Sequence, residues 1–299
     1  MVVEKTKNEG NTLLSERGKN RVKSLLLNLI LILGAVVMLT PLLWMLATAL
    51  SPNTKIPPTS LIPHDITLAN FVEAWNFPRA FSPNPEQPIT MGTFFMNSLI
   101  CTVTITVFGI IVDSLAAYVL AFKQFPGKRL FIFLALATMM IPFYVTLVPE
   151  YLIIRKLKWI NTYKAMIIPF LASGMGISLF RAHFLSIAKE LEECGKLDGA
   201  SDFRVYLTIV MPISRPIIGT MAILKAMWSW NQYMWPLIVC TDISKKPIQV
   251  ALNMFRGLNL TEWGYMCAGM TMAILPLVIL FLCAQKQFIG GLQAGAVKG

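Results

Sequence analysis

Apolar residues gather into six long runs, at 24–50, 92–121, 129–153, 163–184, 217–240 and 265–286, separated by shorter polar stretches. Each run has roughly the 20 mostly apolar residues that a helix needs to cross the hydrocarbon core of a bilayer. Pro41, Pro142, Pro169 and Pro276 fall inside the runs, so bent helices are expected. The pattern predicts an all-α polytopic membrane protein with six transmembrane helices. It divides the chain into an arm at 1–23, a membrane domain at 24–286 and a tail at 287–299. The proline-rich stretch 51–91 is too long for a tight turn and is expected to pack against something outside the bilayer. A charged segment, 186–216, separates the fourth and fifth runs.

Composition agrees: of 299 residues, 56% are hydrophobic and 14% charged, with a mean hydropathy of +0.63. The net charge of +11 does not point to nucleic acid, because the basic residues sit at the ends of apolar runs and not on one face interleaved with aromatics. Ala47-Thr48-Ala49 resembles a signal-peptidase site, but the run before it is far longer than a signal-peptide core of about 7–15 residues, so it is read as an uncleaved first span. The first 15 or so residues are expected to be unstructured. Sixteen Lys and Arg fall on the side of the two termini and nine on the other, which puts both termini in the cytoplasm. A basic cluster at 155–164 runs against that rule.

No phosphate-cradling G-x-x-x-x-G-K-[ST] loop, H-E-x-x-H, G-x-S-x-G or metal-spaced His/Cys cluster is present, so a self-contained enzyme, a metal site or ATP bound by the usual phosphate loop is not expected. The five cysteines are scattered and are read as small packing residues. Charges inside spans are functional candidates because burying them is costly. Asp113 either lines a polar path or is paired with hydroxyl and backbone donors. Lys225 is expected near a helix end, its ammonium snorkelling outward. Trp228, Trp230, Asn231, Tyr233 and Trp235 suit a polyhydroxylated ligand, whose C–H faces rings cover and whose hydroxyls amides bond, or else an interfacial aromatic belt.

In the polar segment, Ala188 to Leu197 favours a helix, with Ile187, Leu191 and Cys194 as an apolar stripe opposite Lys189, Glu190, Glu193 and Lys196. Asp198-Gly199 reads as a turn, and Ser201 or Asp202 as the cap of a second helix. The result is a helix-turn-helix at the membrane face, with a glycine at an elbow that another chain can approach closely.

These residues resemble the cytoplasmic loop of the permease subunits of ATP-binding-cassette importers, which carries E-A-A, three residues, a glycine, nine residues and I-x-L-P. Here the match is Glu193-Cys194-Gly195, Gly199 within Asp198-Gly199-Ala200, and Ile209-Val210-Met211-Pro212. Cys194, Gly195 and Met211 depart from the pattern by small-for-small and apolar-for-apolar changes. Asn97-Ser98-Leu99, Ala116-Ala117-Tyr118, Met140-Ile141-Pro142, Val148-Pro149, Trp230-Asn231, Trp235-Pro236 and the terminal GLQAGAVKG extend the likeness over nearly the whole chain. It lies nearest the second permease of the carbohydrate-uptake, maltose-type branch. Gln232 stands where that branch often has an acid, so a detailed solute site does not carry over.

The resemblance implies a non-enzymatic subunit of a bacterial plasma membrane importer. Its partners would be membrane lipid, a second and different permease, two cytoplasmic ATPases holding ATP and Mg, and an extracytoplasmic binding protein that delivers a sugar, oligosaccharide or polyol. Glu193 to Ala200 would form the coupling helix seated in an ATPase, and the tail from Gly291 can reach the ATPase interface. Asp113, Trp230, Asn231 and Tyr233 are the candidate solute-path residues. Glycerol phosphate or another small polar solute is an alternative cargo. A stand-alone secondary transporter would need ion-coupling groups or an inverted repeat, for which Asp113 alone is thin support.

Overall fold

The computed structural model describes the backbone of residues 2–52, 63, 65–84, 86, 88–256 and 262–296, and side chains between 23 and 283 within those ranges. Fourteen α-helices, numbered in chain order, and short 3-10 and π turns make up the described regular structure.

α1 (Val2–Leu50) contains the first apolar run. Its arm continues as helix back to Val2, contrary to the unstructured start expected. No proline precedes Pro41, and extending an existing helix costs far less than nucleating one. From Leu25 to Leu43 its apolar side chains are exposed. Of its described side chains, those near its end pack, with Ala47, Thr48 and Ala49 buried and Trp44 edge-on to Trp263 at 6.4 Å. The neighbour there is α14 (Trp263–Ala296), which carries Pro276 without breaking. The tail residues Val297, Lys298 and Gly299 lie outside the described residues. Of the outer stretch, α2 (Ala69–Asn76) packs beneath this pair, tied by Asn70 Nδ2, which donates to the carbonyls of Ala49 (2.9 Å) and Ser51 (2.7 Å).

α3 (Met91–Phe122) is the central element. Its buried residues include Cys101, Ile105, Gly109, Asp113 and Ala117, one turn apart down one face, which packs against α7 (Gly174–Phe184) and α11 (Arg215–Trp230). Small residues let these backbones come close. A Cβ at Gly109 would lie 2.8 Å from Lys225 Nζ, and one at Gly176 would overlap the Asp113 carboxylate.

Two of the expected spans are not straight. The run 129–153 becomes α4 (Lys128–Met140) and α5 (Phe143–Lys156), bent by 105°. Pro142 drives its predecessor out of the helical region, and Ile141 is extended at φ −87°, ψ 117°. The run 217–240 becomes α11 and α12 (Met234–Val239), interrupted at Asn231-Gln232-Tyr233. Among the described residues four helices are long and apolar enough to cross a membrane singly, and the number rises to at most six when two bent pairs, Lys128–Met140 with Phe143–Lys156 and Asp202–Ile213 with Arg215–Trp230, each count as one. The fourth run folds as α6 (Tyr163–Ile167), a 3-10 turn through Pro169, and α7.

Gly176→Ala should lower the apparent melting temperature of the detergent-solubilised protein by an amount equivalent to about 2 kcal/mol, from forced overlap with Asp113. Gly34→Ala, whose Cβ would meet nothing within 4 Å, should not lower it and, as a helix-interior glycine made alanine, should raise it slightly, and equal losses in the two would contradict this packing.

Candidate functional site

The polar segment folds into two helices around an elbow. α8 (Lys189–Leu197) closes at Asp198, and the next two amides turn back, Gly199 N–H to the Lys196 carbonyl and Ala200 N–H to the Gly195 carbonyl, each at 3.0 Å. This paired ending needs a left-handed residue after the cap, and Gly199 supplies it at φ 78°. An added Cβ there would meet nothing within 4 Å in this chain. Ser201 Oγ accepts from Arg204 N–H and caps α9 (Asp202–Val205). A π turn and α10 (Met211–Ile213) then lead into α11 through a bend of 82°.

The face of α8 turned inward is not the expected apolar one. Glu192, 3% exposed, and Gly195 point in, whereas Leu191, Cys194 and Leu197 point out, Leu197 at 87% exposure. Ion pairing outweighs the stripe here. Glu192 Oε1 lies 2.7 Å from both Lys123 Nζ, at the end of α3, and Lys196 Nζ. Lys123 also meets Asp202 Oδ1 at 2.6 Å. Gly195 has a packing reason, since a Cβ there would come within 2.8 Å of Ile209 Cδ1. Of the other predicted residues, Glu193 is exposed and paired with Lys189 at 2.8 Å. Asp198 and Gly199 are exposed, Ala200 is half-buried, and exposed Pro212 lies apart in α10. Glu192 and Lys123 were missed by sequence reasoning; charge at a position flanked by Leu191 and Glu193 gives no sign of facing inward.

Burial acts to raise the Glu192 pKa, but the hydrogen bonds from Lys123 and Lys196 outweigh it and hold the carboxyl below its ordinary value. Burial likewise acts to lower Lys123, and its bonds to Asp202 and Glu192 outweigh this and raise it.

Lys225 is not a snorkelling residue. It is 7% exposed, and its ammonium lies 2.9 Å from Oδ2 of the fully buried Asp113. Asp113 also accepts from Ser173 N–H and Ser173 Oγ, both at 2.8 Å. The Asp113 carboxylate thus joins α3, the N-cap of α7 and α11. It stands behind Lys225 and does not itself line a path. Lys225 borders a cavity of about 460 Å³ with Ser173, Met175, Met221 and Trp228. Trp228, 45% exposed, also lines an adjoining cavity of about 490 Å³ with Phe143, Tyr144, Asn231, Gln232 and Tyr233. One face of α11, its break at Asn231-Gln232-Tyr233 and the start of α5 therefore form a trough. Of the predicted path residues, Asn231 and Tyr233 lie in it. Trp230 does not: it is 4% exposed, and its Nε1–H donates to the Ala273 carbonyl at 3.0 Å. Two residues along a helix is about 200° of rotation, so Trp228 and Trp230 face opposite ways.

Residues 106–290 match the family of the binding-protein-dependent transport system inner membrane component. The chain belongs to this family. It is the permease component of an ATP-binding-cassette importer, not an enzyme, and the ATPase is a separate subunit. It is 40% identical over 262 residues to the probable ABC transporter permease protein YurM of Bacillus subtilis, covering 87% of this chain and 83% of that one. It is 31% identical over 265 residues to the arabinooligosaccharides transport system permease protein AraQ of Halalkalibacterium halodurans, covering 87% and 91%. The fold matches a crystal structure of a bacterial ABC transporter involved in the import of the acidic polysaccharide alginate, at TM-score 0.76 and 23% identity, covering 90% of this chain and 97% of that one.

Among the described residues no group of three His, Cys, Asp or Glu could hold a metal ion. Asp113→Asn or Lys225→Met alone should each destabilise the solubilised protein by about 3 kcal/mol, by leaving a buried charge without its partner. The double variant should cost less than the two summed, and strict additivity in thermal unfolding would count against the pair. Glu192's lowered pKa contributes stability above its unfolded value of about 4.3, lost as pH falls through the folded value. Lys123's raised pKa contributes fully below about 10.4, and its share is lost as pH rises beyond. Thermal stability should thus be flat between about pH 7 and 9, with an acid loss, shared with Asp202 whose carboxyl the same lysines hold low, that Glu192→Gln reduces.

Proposed function

We propose that this permease is one of a pair of dissimilar permease subunits that import a carbohydrate handed over by an extracytoplasmic binding protein. ATP and Mg act on two cytoplasmic ATPases, one of which docks on α8, and both termini lie in the cytoplasm. The observation that carries the docking is the outward apolar stripe of Leu191, Cys194 and Leu197, next to a glycine elbow with open space around it. An apolar stripe on a helix anchored by its charged side has no role within this subunit, and an ATPase surface gives it one. ATPase closure moves α8. That movement reaches α3 through the Lys123 ion pairs and α11 through the continuous segment from Asp202, and the trough changes its access.

The trough supports the carbohydrate reading. Exposed Trp228 and Tyr233 and the amides of Asn231 and Gln232 offer ring faces for C–H surfaces and paired donors and acceptors for hydroxyls. AraQ's oligosaccharide-transport role accords with the same class of cargo.

Leu197→Asp should fold normally, because Leu197 touches little of its own chain, yet lose co-purification of the ATPase and ATP-dependent uptake; retention of both would sink the docking. Gly199→Asn, which tolerates the left-handed backbone, should remain in the membrane while solute-stimulated ATP hydrolysis uncouples from uptake. Trp228→Ala should raise the KM for sugar uptake about tenfold, from the loss of one ring face.

A further inference from the structure

Two basic loops meet at the end of the molecule opposite the coupling segment. α3 sets the distance. Lys123 at its C-terminus holds α8, while near its N-terminus Asn97 Nδ2 donates to the carbonyls of Ser244 (2.8 Å) and Lys246 (2.9 Å) and Asn97 Oδ1 accepts from Tyr163 OH at 2.6 Å. From Asn97 to Lys123 is about 39 Å at the rise of an α-helix, close to a full bilayer. With α8 in the cytoplasm, the Asn97 end is extracytoplasmic.

Asn161 staples the loops together there. Its Oδ1 accepts from Asp242 N–H at 2.9 Å, its Nδ2 donates to Thr241 Oγ1 at 2.9 Å, and its own N–H donates to the Val239 carbonyl at 2.9 Å. Lys245 Nζ lies 5.0 Å from the centre of the Tyr163 ring. Arg155, Lys156, Lys158 and Lys164 thereby join Lys245 and Lys246 in one patch. Among the described residues none of the six forms an ion pair. The nearby acids are Glu150 and Asp242, and Asp242 Oδ1 accepts from Ser244 N–H.

A second observation is strain at Lys158. α5 ends as α8 does, with Lys158 N–H bonded to the Arg155 carbonyl at 3.0 Å and Trp159 N–H to the Ile154 carbonyl at 3.1 Å. The left-handed position, glycine in α8, is Lys158 at φ 58°. A side chain there costs about 1 kcal/mol, and such strain clusters at functional positions. A charge is kept where glycine would be relaxed. Beside it, Leu152, Ile153 and Leu157 are exposed, with the aromatic rings of Trp159 and Tyr163 next in the chain. Basic heads beside bare aliphatic chains at bilayer depth match a lipid, polar at one end and apolar at the other, better than a water-facing protein surface.

We propose that this patch binds the headgroups of anionic phospholipids, with acyl chains along Leu152, Ile153 and Leu157. The test uses the full-length permease co-purified with its partner subunits, in nanodiscs of phosphatidylcholine with or without phosphatidylglycerol, and native mass spectrometry to count retained lipids. Wild type should retain phosphatidylglycerol in preference, less so at high salt, and K156Q/K158Q/K245Q/K246Q should weaken that preference about tenfold. Lys158→Gly keeps the measurement decisive if the quadruple variant fails to fold, since it should raise the melting temperature while lowering phosphatidylglycerol retention. Equal retention of both lipids, or unchanged retention in both variants, overturns the proposal. So does a variant that keeps its lipid but loses capture of the binding protein, which would make the patch a protein contact.

Discussion

A carboxylate buried at the middle of a membrane helix cannot stand without partners, and Asp113 imposes that condition on the whole bundle. Its charge is met by Lys225 from α11 and by the hydroxyl and amide of Ser173 at the head of α7. Hydrocarbon offers no water to make up for a missing partner, so the three helices have to meet at this depth. Gly109 and Gly176 follow from the same demand, because a methyl group at either would push the charges apart or into each other. With α11 held this way, its Met221, Lys225 and Trp228 face is left lining the trough.

The trough is built where helices break. Irregular backbone at membrane depth is tolerated only where it lines a cavity or is buried in protein, and both breaks, at Ile141-Pro142 and at Asn231-Gln232-Tyr233, border it or flank residues that do. Broken walls beside a continuous α3 divide the labour. α3 runs unbroken from Met91 to Phe122, while the broken elements can change angle at their joints without losing their internal hydrogen bonds.

The apolar runs made the membrane class plain, and the spacing from Glu193 through Gly199 to Pro212 marked the helices on either side of a glycine elbow, because both are local properties of the chain. Orientation was less legible. Whether Glu192 or Leu191 faces inward depends on Lys123, 69 residues away, and Lys225 looked like a snorkelling end residue because Asp113 belongs to a distant span. Trp228 and Trp230 differ by a rotation that helix geometry fixes, but which of them meets the trough is set by packing against α14 through Ala273. Pro142 announced a bend, yet not that the chain would turn by 105°.

Counting basic residues along the sequence also gives a misleading picture of the field at the two faces. At the face that carries α8, Lys123, Lys189 and Lys196 are paired with Glu192, Glu193 and Asp202, so their charge is largely cancelled where it stands. At the far face Arg155, Lys156 and Lys158 have no such partners among the described residues. The side with fewer basic residues thus presents the denser uncompensated positive charge close to α5. The positive-inside bias concerns which loops are translocated during insertion, whereas the field at a finished surface depends on which charges the fold has paired. The cluster at 155–164 therefore need not be an error of topology. It is charge left free by a fold that spent its acids on the other side.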